Sequence, residues 1–91
     1  MSTFTPRQVA TAFGGLLRTA RLGAGLSQKK LADSAGMSLN AEARYERGQL
    51  QPTLSKIIDL AAALGIEPHT LVQMTVSRLR SAVQITQETQ P

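Results

Sequence analysis

Short amphipathic segments separated by glycines run along this 91-residue chain. No stretch alternates polar and apolar residues with the period of two that a strand requires. Each segment begins at a residue that can cap a helix and ends at or near a glycine. Short helices of this kind must pack together to bury their apolar faces. We therefore predict an all-α fold, a compact five-helix bundle.

Capping residues and glycines set the boundaries of the five predicted helices. Thr5 and Gln8 have the spacing of a capping box, with Pro6 at the first helical position. The caps predicted for the next three helices are Ser27, Ser38 and Thr53. The predicted helices cover residues 6–22, 28–35, 39–47, 54–64 and 68–83.

Apolar spacing predicts which face of each helix turns inward. In the first helix the predicted face carries Val9, Phe13, Leu16, Leu17 and Ala20, and in the fourth it carries Leu54, Ile57, Ile58, Ala61 and Leu64. Gly14 and Gly15 interrupt the first pattern, and a glycine inside a helix costs about 1 kcal/mol relative to alanine. This pair is the weakest point of the helical prediction.

The length of the chain fits one small domain with a single modest core. We assign residues 1–83 to this domain. Residues 84–91 are rich in Gln and Thr and are predicted to form a disordered tail.

Positive charge is concentrated in the first two thirds of the chain. The formal net charge is +4 and the pI is about 10.4. Residues 1–56 carry eight cations against three anions, whereas residues 57–91 carry two cations against three anions. The first region therefore favours an anionic partner such as a phosphate backbone.

Several classes of protein are excluded or disfavoured by composition. The chain has no Cys, which excludes disulfides and Cys-ligated zinc. No apolar run approaches the roughly 20 residues that span a bilayer, and the N-terminus lacks the pattern of a signal peptide. Its one histidine, His69, has no carboxylate array at ligand spacing. We expect a soluble cytoplasmic protein that is not an enzyme and needs no metal or cofactor.

The second and third predicted helices meet at a turn containing Gly36, which is the layout of a DNA-binding helix-turn-helix. The segments LSQKKLA (26–32), AGMS (35–38) and YERG (45–48), followed by Pro52 and Leu54, resemble the helix-turn-helix family of lambdoid phage repressors, Cro proteins and XRE-type regulators. The resemblance covers residues 13–71. It implies a lambda-repressor-like fold and a transcriptional regulator that binds double-stranded DNA in a sequence-specific way, often as a homodimer on palindromic half-sites.

One face of the third helix is predicted to be free to read bases in the major groove. Asn can bond adenine and Arg can bond guanine in bidentate fashion, while an apolar side chain can touch a thymine methyl group. The predicted base-reading residues are Leu39, Asn40, Ala43 and Arg44. A phosphate contact by Arg44 and a merely solvated face are the alternatives.

A second group of residues is predicted to contact DNA phosphates around the start of the second helix and the loop after Gly48. Free backbone N–H groups at a helix N-terminus favour an anion. The group comprises Ser27, Gln28, Lys29, Ser38, Arg47, Gln49 and Gln51. For Ser27 a purely structural capping role is an equal alternative.

Two acidic positions of the third helix have different expectations. The resemblance implies that Glu46 forms a structural ion pair with Arg21. Glu42 departs from the family pattern, which normally has a branched apolar residue at this core position. We expect Glu42 to lie at the flank of the packed face, where it reaches solvent or pairs with Arg18, Arg21 or Lys30. If it is instead buried without a partner, the motif is loosened, and its negative charge would weaken attraction to phosphate.

The fifth predicted helix carries an apolar seam that steps by four and three residues, as at helix–helix interfaces. The seam consists of Val72, Val76, Leu79 and Val83. It fits a homodimer interface, although packing inside the monomer accounts for part of it. The alternative function is a protein-interaction module of the same fold, such as an antitoxin or a regulator of another DNA-binding protein, with weak or no DNA binding.

Overall fold

The computed structural model describes the backbone of residues 4–88 and the side chains of residues 4–82. Within these residues the chain forms five helices and no strand, which confirms the predicted all-α class. The helices are α1 (Pro6–Gly23), α2 (Gln28–Ala35), α3 (Leu39–Glu46), α4 (Leu54–Leu64) and α5 (Pro68–Glu88).

The observed boundaries lie within a residue of those predicted, except at the end of α5. This helix continues to Glu88 through residues that we assigned to the tail. No Gly or Pro occurs between 84 and 88, so nothing local stops a helix that is already formed. The remainder of the predicted tail, residues 89–91, lies outside the described residues.

Side-chain caps begin the first four helices as predicted. Thr5 accepts a hydrogen bond from the backbone N–H of Gln8 at 3.1 Å, and the Gln8 side chain accepts one from the N–H of Thr5 at 2.8 Å. Ser27, Ser38 and Thr53 each accept a bond from the N–H three residues later. Each cap satisfies a backbone donor that the helix itself leaves free.

The bundle surrounds one core. α1 packs against α3 and α5, α2 packs against α3 and α4, and α4 packs against α5. Phe13 and Tyr45 meet edge to face across the α1–α3 contact, with ring centroids 6.4 Å apart. The buried core consists of Phe13, Leu16, Leu17, Leu31, Ala35, Tyr45, Leu60, Ala61 and Leu71.

The predicted inward face of α4 is partly wrong. Leu60 and Ala61 are fully buried, but Leu54 is 71% exposed and Ile58 is 47% exposed. The helix packs on both α2 and α5. The side of α4 that contacts them is therefore rotated relative to the apolar face that the sequence predicted. Periodicity identified the helix correctly, but the positions of its neighbours determine which apolar residues are covered.

Close approach of α1 to α3 explains the first of the two glycines in α1. A Cβ at Gly14 would collide with the backbone carbonyl oxygen of Tyr45 and lie 2.8 Å from that of Glu46. A rotamer change cannot relieve contact with backbone atoms. Gly14 therefore permits the helix crossing that brings α3 onto the core.

Among the described residues, no helix combines the length and apolar character needed to cross a bilayer.

Candidate nucleic-acid interface

The turn between α2 and α3 is held by backbone bonds and one left-handed residue. Gly36 has φ 69° and ψ 36°, a conformation that side chains disfavour. The N–H of Met37 donates to the carbonyl oxygen of Ala32 at 2.9 Å, and the Met37 side chain packs against the core. This turn fixes how α3 is presented relative to α2.

The outer face of α3 projects into solvent, where the sequence predicted the base-reading residues. Leu39 is 49% exposed, Asn40 and Arg44 are exposed, and Ala43 is half-buried. On the opposite side Tyr45 is buried and Ala41 packs against the core. The helix is thus anchored along one side and free along the other, which is the geometry required of a helix that enters the major groove.

The predicted phosphate-binding serines act as caps through their oxygen atoms. Ser27 accepts from the N–H of Lys30 and Ser38 accepts from the N–H of Ala41, each at 3.0 Å. A capping hydroxyl still has its own proton to donate to an anion. Capping and phosphate contact are therefore compatible roles for both residues.

The other predicted phosphate ligands differ in the bonds that they already form with other groups of the protein. Lys29 is exposed and pairs with Asp33 at 3.1 Å, a pair that water largely screens. The Nε of Arg47 donates to the side-chain oxygen of Gln49 at 3.4 Å. The amide of Gln51 donates to the carbonyl oxygen of Pro6 and so ties this loop to the start of α1.

Arg21 and Glu46 form the predicted ion pair, which is nearly buried. The Arg21 Nε lies 2.6 Å from one carboxylate oxygen of Glu46, and Nη2 lies 3.1 Å from the other. Nη1 of Arg21 also donates to the carbonyl oxygen of Leu26 at 2.9 Å. The bidentate pair joins α1 to the end of α3, and the third bond fixes the start of the α2 segment.

A further bond that the sequence did not predict connects the pair to α2. The side-chain amide of Gln28 donates to Glu46 at 3.2 Å. Gln28 is half-buried and keeps a second amide proton free. A polar residue directly after a cap was the available sequence signal, but its partner lies 18 residues away in the chain.

The expectation for Glu42 is wrong. Its side chain neither reaches solvent nor forms an ion pair: it is 0% exposed, and no donor group among the described residues bonds either carboxylate oxygen. Arg21 is already committed to Glu46 and to Leu26. The position is buried, as the family pattern implies for an apolar residue.

Burial changes the charge state of Glu42. Desolvation, followed by hydrogen bonding and repulsion from the Glu46 carboxylate, raises the pKa of Glu42 to about 8. Burial also acts to raise the pKa of Glu46, but hydrogen bonds with Arg21, Glu42 and Gln28 outweigh it and lower that pKa. At neutral pH Glu42 is therefore protonated and can share its proton with ionised Glu46.

The predicted dimer seam on α5 is divided by packing within the monomer. Leu79 is only 7% exposed and lies on the inward face with Leu71. Val72 is 43% exposed and Val76 is half-buried. The side chain of Val83 lies outside the described residues.

Residues that could hold a metal ion do not cluster in the part of the chain that the structure describes. His69 is exposed at the start of α5. Among these residues no group of three or more His, Asp or Glu side chains is placed to hold a metal ion.

Comparison with solved structures finds the same fold in bacterial regulators. The restriction-modification controller protein C.AhdI from Aeromonas hydrophila is 42% identical, with a TM-score of 0.66 over 68% of this chain and 94% of that one. The clp gene regulator ClgR from Corynebacterium glutamicum reaches a TM-score of 0.77 over 88% of this chain and 83% of that one. At 24% identity, ClgR supports the fold alone.

Sequence comparison identifies the family. The SPbeta prophage-derived uncharacterized HTH-type transcriptional regulator YonR of Bacillus subtilis (strain 168) is 32% identical over 63 residues, which is 69% of this chain. The chain spans 58% of the length of that relative. A family model described as a helix-turn-helix domain matches residues 12–74, a range that includes α2, the Gly36 turn and α3. The chain therefore belongs to the helix-turn-helix domain family.

Proposed function

We propose that this protein is a transcriptional regulator that binds double-stranded DNA in a sequence-specific way, with α3 in the major groove. The observation that carries the proposal is the exposed face of α3 on a helix whose other side is packed into the core. Leu39, Asn40, Ala43 and Arg44 read bases on this face. A regulator of this kind acts in the cytoplasm, where it blocks or recruits RNA polymerase by occupying its site.

The proposed phosphate contacts fit the same orientation. The N-terminus of α2 and that of α3 each present backbone N–H groups and the hydroxyl of a capping serine. The residues proposed to hold the DNA backbone are Ser27, Gln28, Lys29, Ser38, Arg47, Gln49 and Gln51. Since Gln28 also bonds Glu46, its phosphate contact would fix α2 and α3 on DNA together.

The protonated state of Glu42 removes the main objection to DNA binding. An ionised carboxylate beside the reading face would repel phosphate, but a pKa of about 8 leaves this group neutral at pH 7. Burial also keeps it away from the exposed face. A negative charge at Glu42 was the feature that favoured a protein-interaction module without DNA binding. That alternative is therefore less well supported.

A homodimer on palindromic half-sites is part of the proposal. Val72 and Val76 of the α5 seam remain accessible in the monomer. Two copies joined through α5 would place their reading helices on half-sites about one helical turn apart.

Sedimentation of wild type and Val72→Asp tests the seam, because exposure of Val72 allows a charge to be placed there without unfolding. A wild type that stays monomeric at micromolar concentration would overturn the dimer.

Selection of binding sites from random double-stranded DNA, followed by gel-shift titration on the selected duplex, tests DNA binding directly. Arg44→Ala should weaken binding by about 1–3 kcal/mol, or roughly 5- to 150-fold, and relax specificity at one base position. Asn40→Ala should relax a different position. Affinity should also fall steeply between about 50 and 200 mM salt.

Arg80→Ala is the matched control, because Arg80 is an exposed arginine on α5 outside the proposed interface. It should leave affinity for the selected site nearly unchanged. If Arg44→Ala and Asn40→Ala bind as wild type does, α3 is not the reading helix. Enrichment of no sequence, combined with weak binding at low salt, would return the interaction-module alternative.

A further inference from the structure

A cavity of about 600 Å³ lies between the N-terminal part of α1 and the C-terminal part of α5. None of the ten residues that line it belongs to α2 or α3. Its walls are largely apolar or small and include Phe4, Ala12, Gly15, Leu79 and Ala82. This volume falls within the range of small-molecule sites, about 300–1,000 Å³. None of the residues proposed to contact DNA lines it.

Two guanidinium groups border this α1–α5 groove. Arg7 and Arg78 line it, and no Asp or Glu stands among the described lining residues. Neither arginine takes part in an ion pair within the described part of the chain. The groove therefore combines apolar walls with uncompensated positive charge.

The second glycine of α1 accounts for the position of Arg78. A Cβ at Gly15 would lie 3.3 Å from Nη1 and 3.4 Å from Cζ of Arg78. The guanidinium thus lies over the α1 backbone where the helix has no side chain. A glycine here weakens the helix by roughly 0.5–1 kcal/mol relative to alanine, and it leaves room for the guanidinium beside α1.

We propose that the α1–α5 groove binds a small carboxylic acid with an apolar chain, of the medium-chain fatty-acid class. The carboxylate bonds the Arg78 guanidinium, whose planar donors match a carboxylate in bidentate fashion. The chain lies along Ala12 and Leu79. A protein partner fits less well, because a stable protein interface uses about 20–30 residues a side.

Titration of the full chain with decanoate, followed by calorimetry and amide NMR shifts, tests this site. Decanoate should bind saturably below its micelle-forming concentration and shift resonances of residues in α1 and α5. Arg78→Gln should weaken binding about tenfold, the size expected when one charge-assisted contact is lost. Arg80→Gln removes an exposed arginine from the same helix outside the groove and should leave decanoate binding unchanged.

Decanol separates carboxylate recognition from apolar contact alone. It should bind more weakly than decanoate, and Arg78→Gln should not change its affinity. Equal binding of decanol and decanoate, equal binding by Arg78→Gln, or the absence of saturable binding would each overturn the proposal. Gel-shift titration of the same variants reports DNA binding separately, so failure of this site is distinct from failure of the proposed regulator function.

Discussion

The two faces of α3 both carry polar side chains, but in opposite environments. The inner face buries Glu42 and Tyr45 and fixes Glu46 to Arg21. The outer face leaves Asn40 and Arg44 in water. Charge on the inner face is neutralised by protonation or pairing, whereas charge on the outer face remains available to a partner.

This difference separates stability from recognition along one eight-residue helix. Substitutions on the inner face should change the free energy of unfolding and affect DNA binding only through the population of folded protein. Substitutions on the outer face should change DNA affinity and leave unfolding nearly unaltered. The predictions below test this separation, from the largest expected effect to the smallest.

Arg21→Met should lower the free energy of unfolding by about 3–5 kcal/mol, because it leaves the buried carboxylate of Glu46 without its cation. Urea unfolding followed by circular dichroism measures the change. Arg18→Met is the control, since Arg18 is exposed on the same helix. The double variant Arg21→Met/Glu46→Met should be less destabilised than Arg21→Met alone, because no unpaired charge remains. Additive losses would show that the two side chains act independently.

Gly14→Ala should destabilise the protein by about 2–3 kcal/mol, as expected for overpacking against a rigid neighbour. The new methyl group would press on the backbone of α3 at Tyr45 and Glu46. Gly15→Ala is the matched control: its methyl group would meet only the flexible end of Arg78, and it should gain helix propensity. Thermal unfolding of both variants measures the contrast. Equal melting temperatures would mean that α1 does not cross α3 so closely.

Glu42→Ile should raise the free energy of unfolding by about 1–3 kcal/mol at pH 8, because it replaces a buried carboxyl group, whose oxygen atoms no described donor bonds, with an apolar side chain. A fall in stability would mean that the contact of Glu42 with Glu46 is required.

The pH dependence of stability provides an independent test of Glu42, whose carboxyl group is influenced by Glu46 on α3 and Arg21 on α1. The folded state holds its proton up to a pKa of about 8, whereas the unfolded chain releases it near 4.5. Wild-type stability should therefore fall as pH rises from about 4.5 to 8. Glu42→Gln keeps the shape and should flatten this slope, while Glu67→Gln, at an exposed position, should not.

Lys29→Ala should have the smallest effect. Its ion pair with Asp33 is exposed, so loss of the pair should change unfolding by less than about 0.5 kcal/mol. DNA affinity should fall to a similar extent for all sequences, and the salt slope should decrease by about 1. Titrations at several salt concentrations measure both. A loss confined to one sequence would instead assign Lys29 to base reading.

Local sequence signals predicted the helices and most of their ends. Ser27, Ser38 and Thr53 begin α2, α3 and α4 as expected, because capping depends only on residues three positions apart. The inward face of α4 was predicted less well. Exposure of Leu54 and Ile58 depends on how α2 and α5 approach, and no pattern within one helix contains that information.

In the candidate site, too, local sequence predicted some features and helix packing determined others. The exposure of Asn40 and Arg44 followed from the helical projection of α3. The bond from Gln28 to Glu46 joins two helices, and the burial of Glu42 depends on how neighbouring helices pack. Residue spacing within one helix therefore did not reveal either feature.

The sequence by itself determined the all-α class, the helix-turn-helix and the exposed face of α3, because helix capping and periodicity act over a few residues. Only the tertiary structure decided the charge state of Glu42, the roles of Gly14 and Gly15, and the groove beside Arg78. These features depend on desolvation and on distances between helices that are remote in the chain. Both are set when the bundle packs.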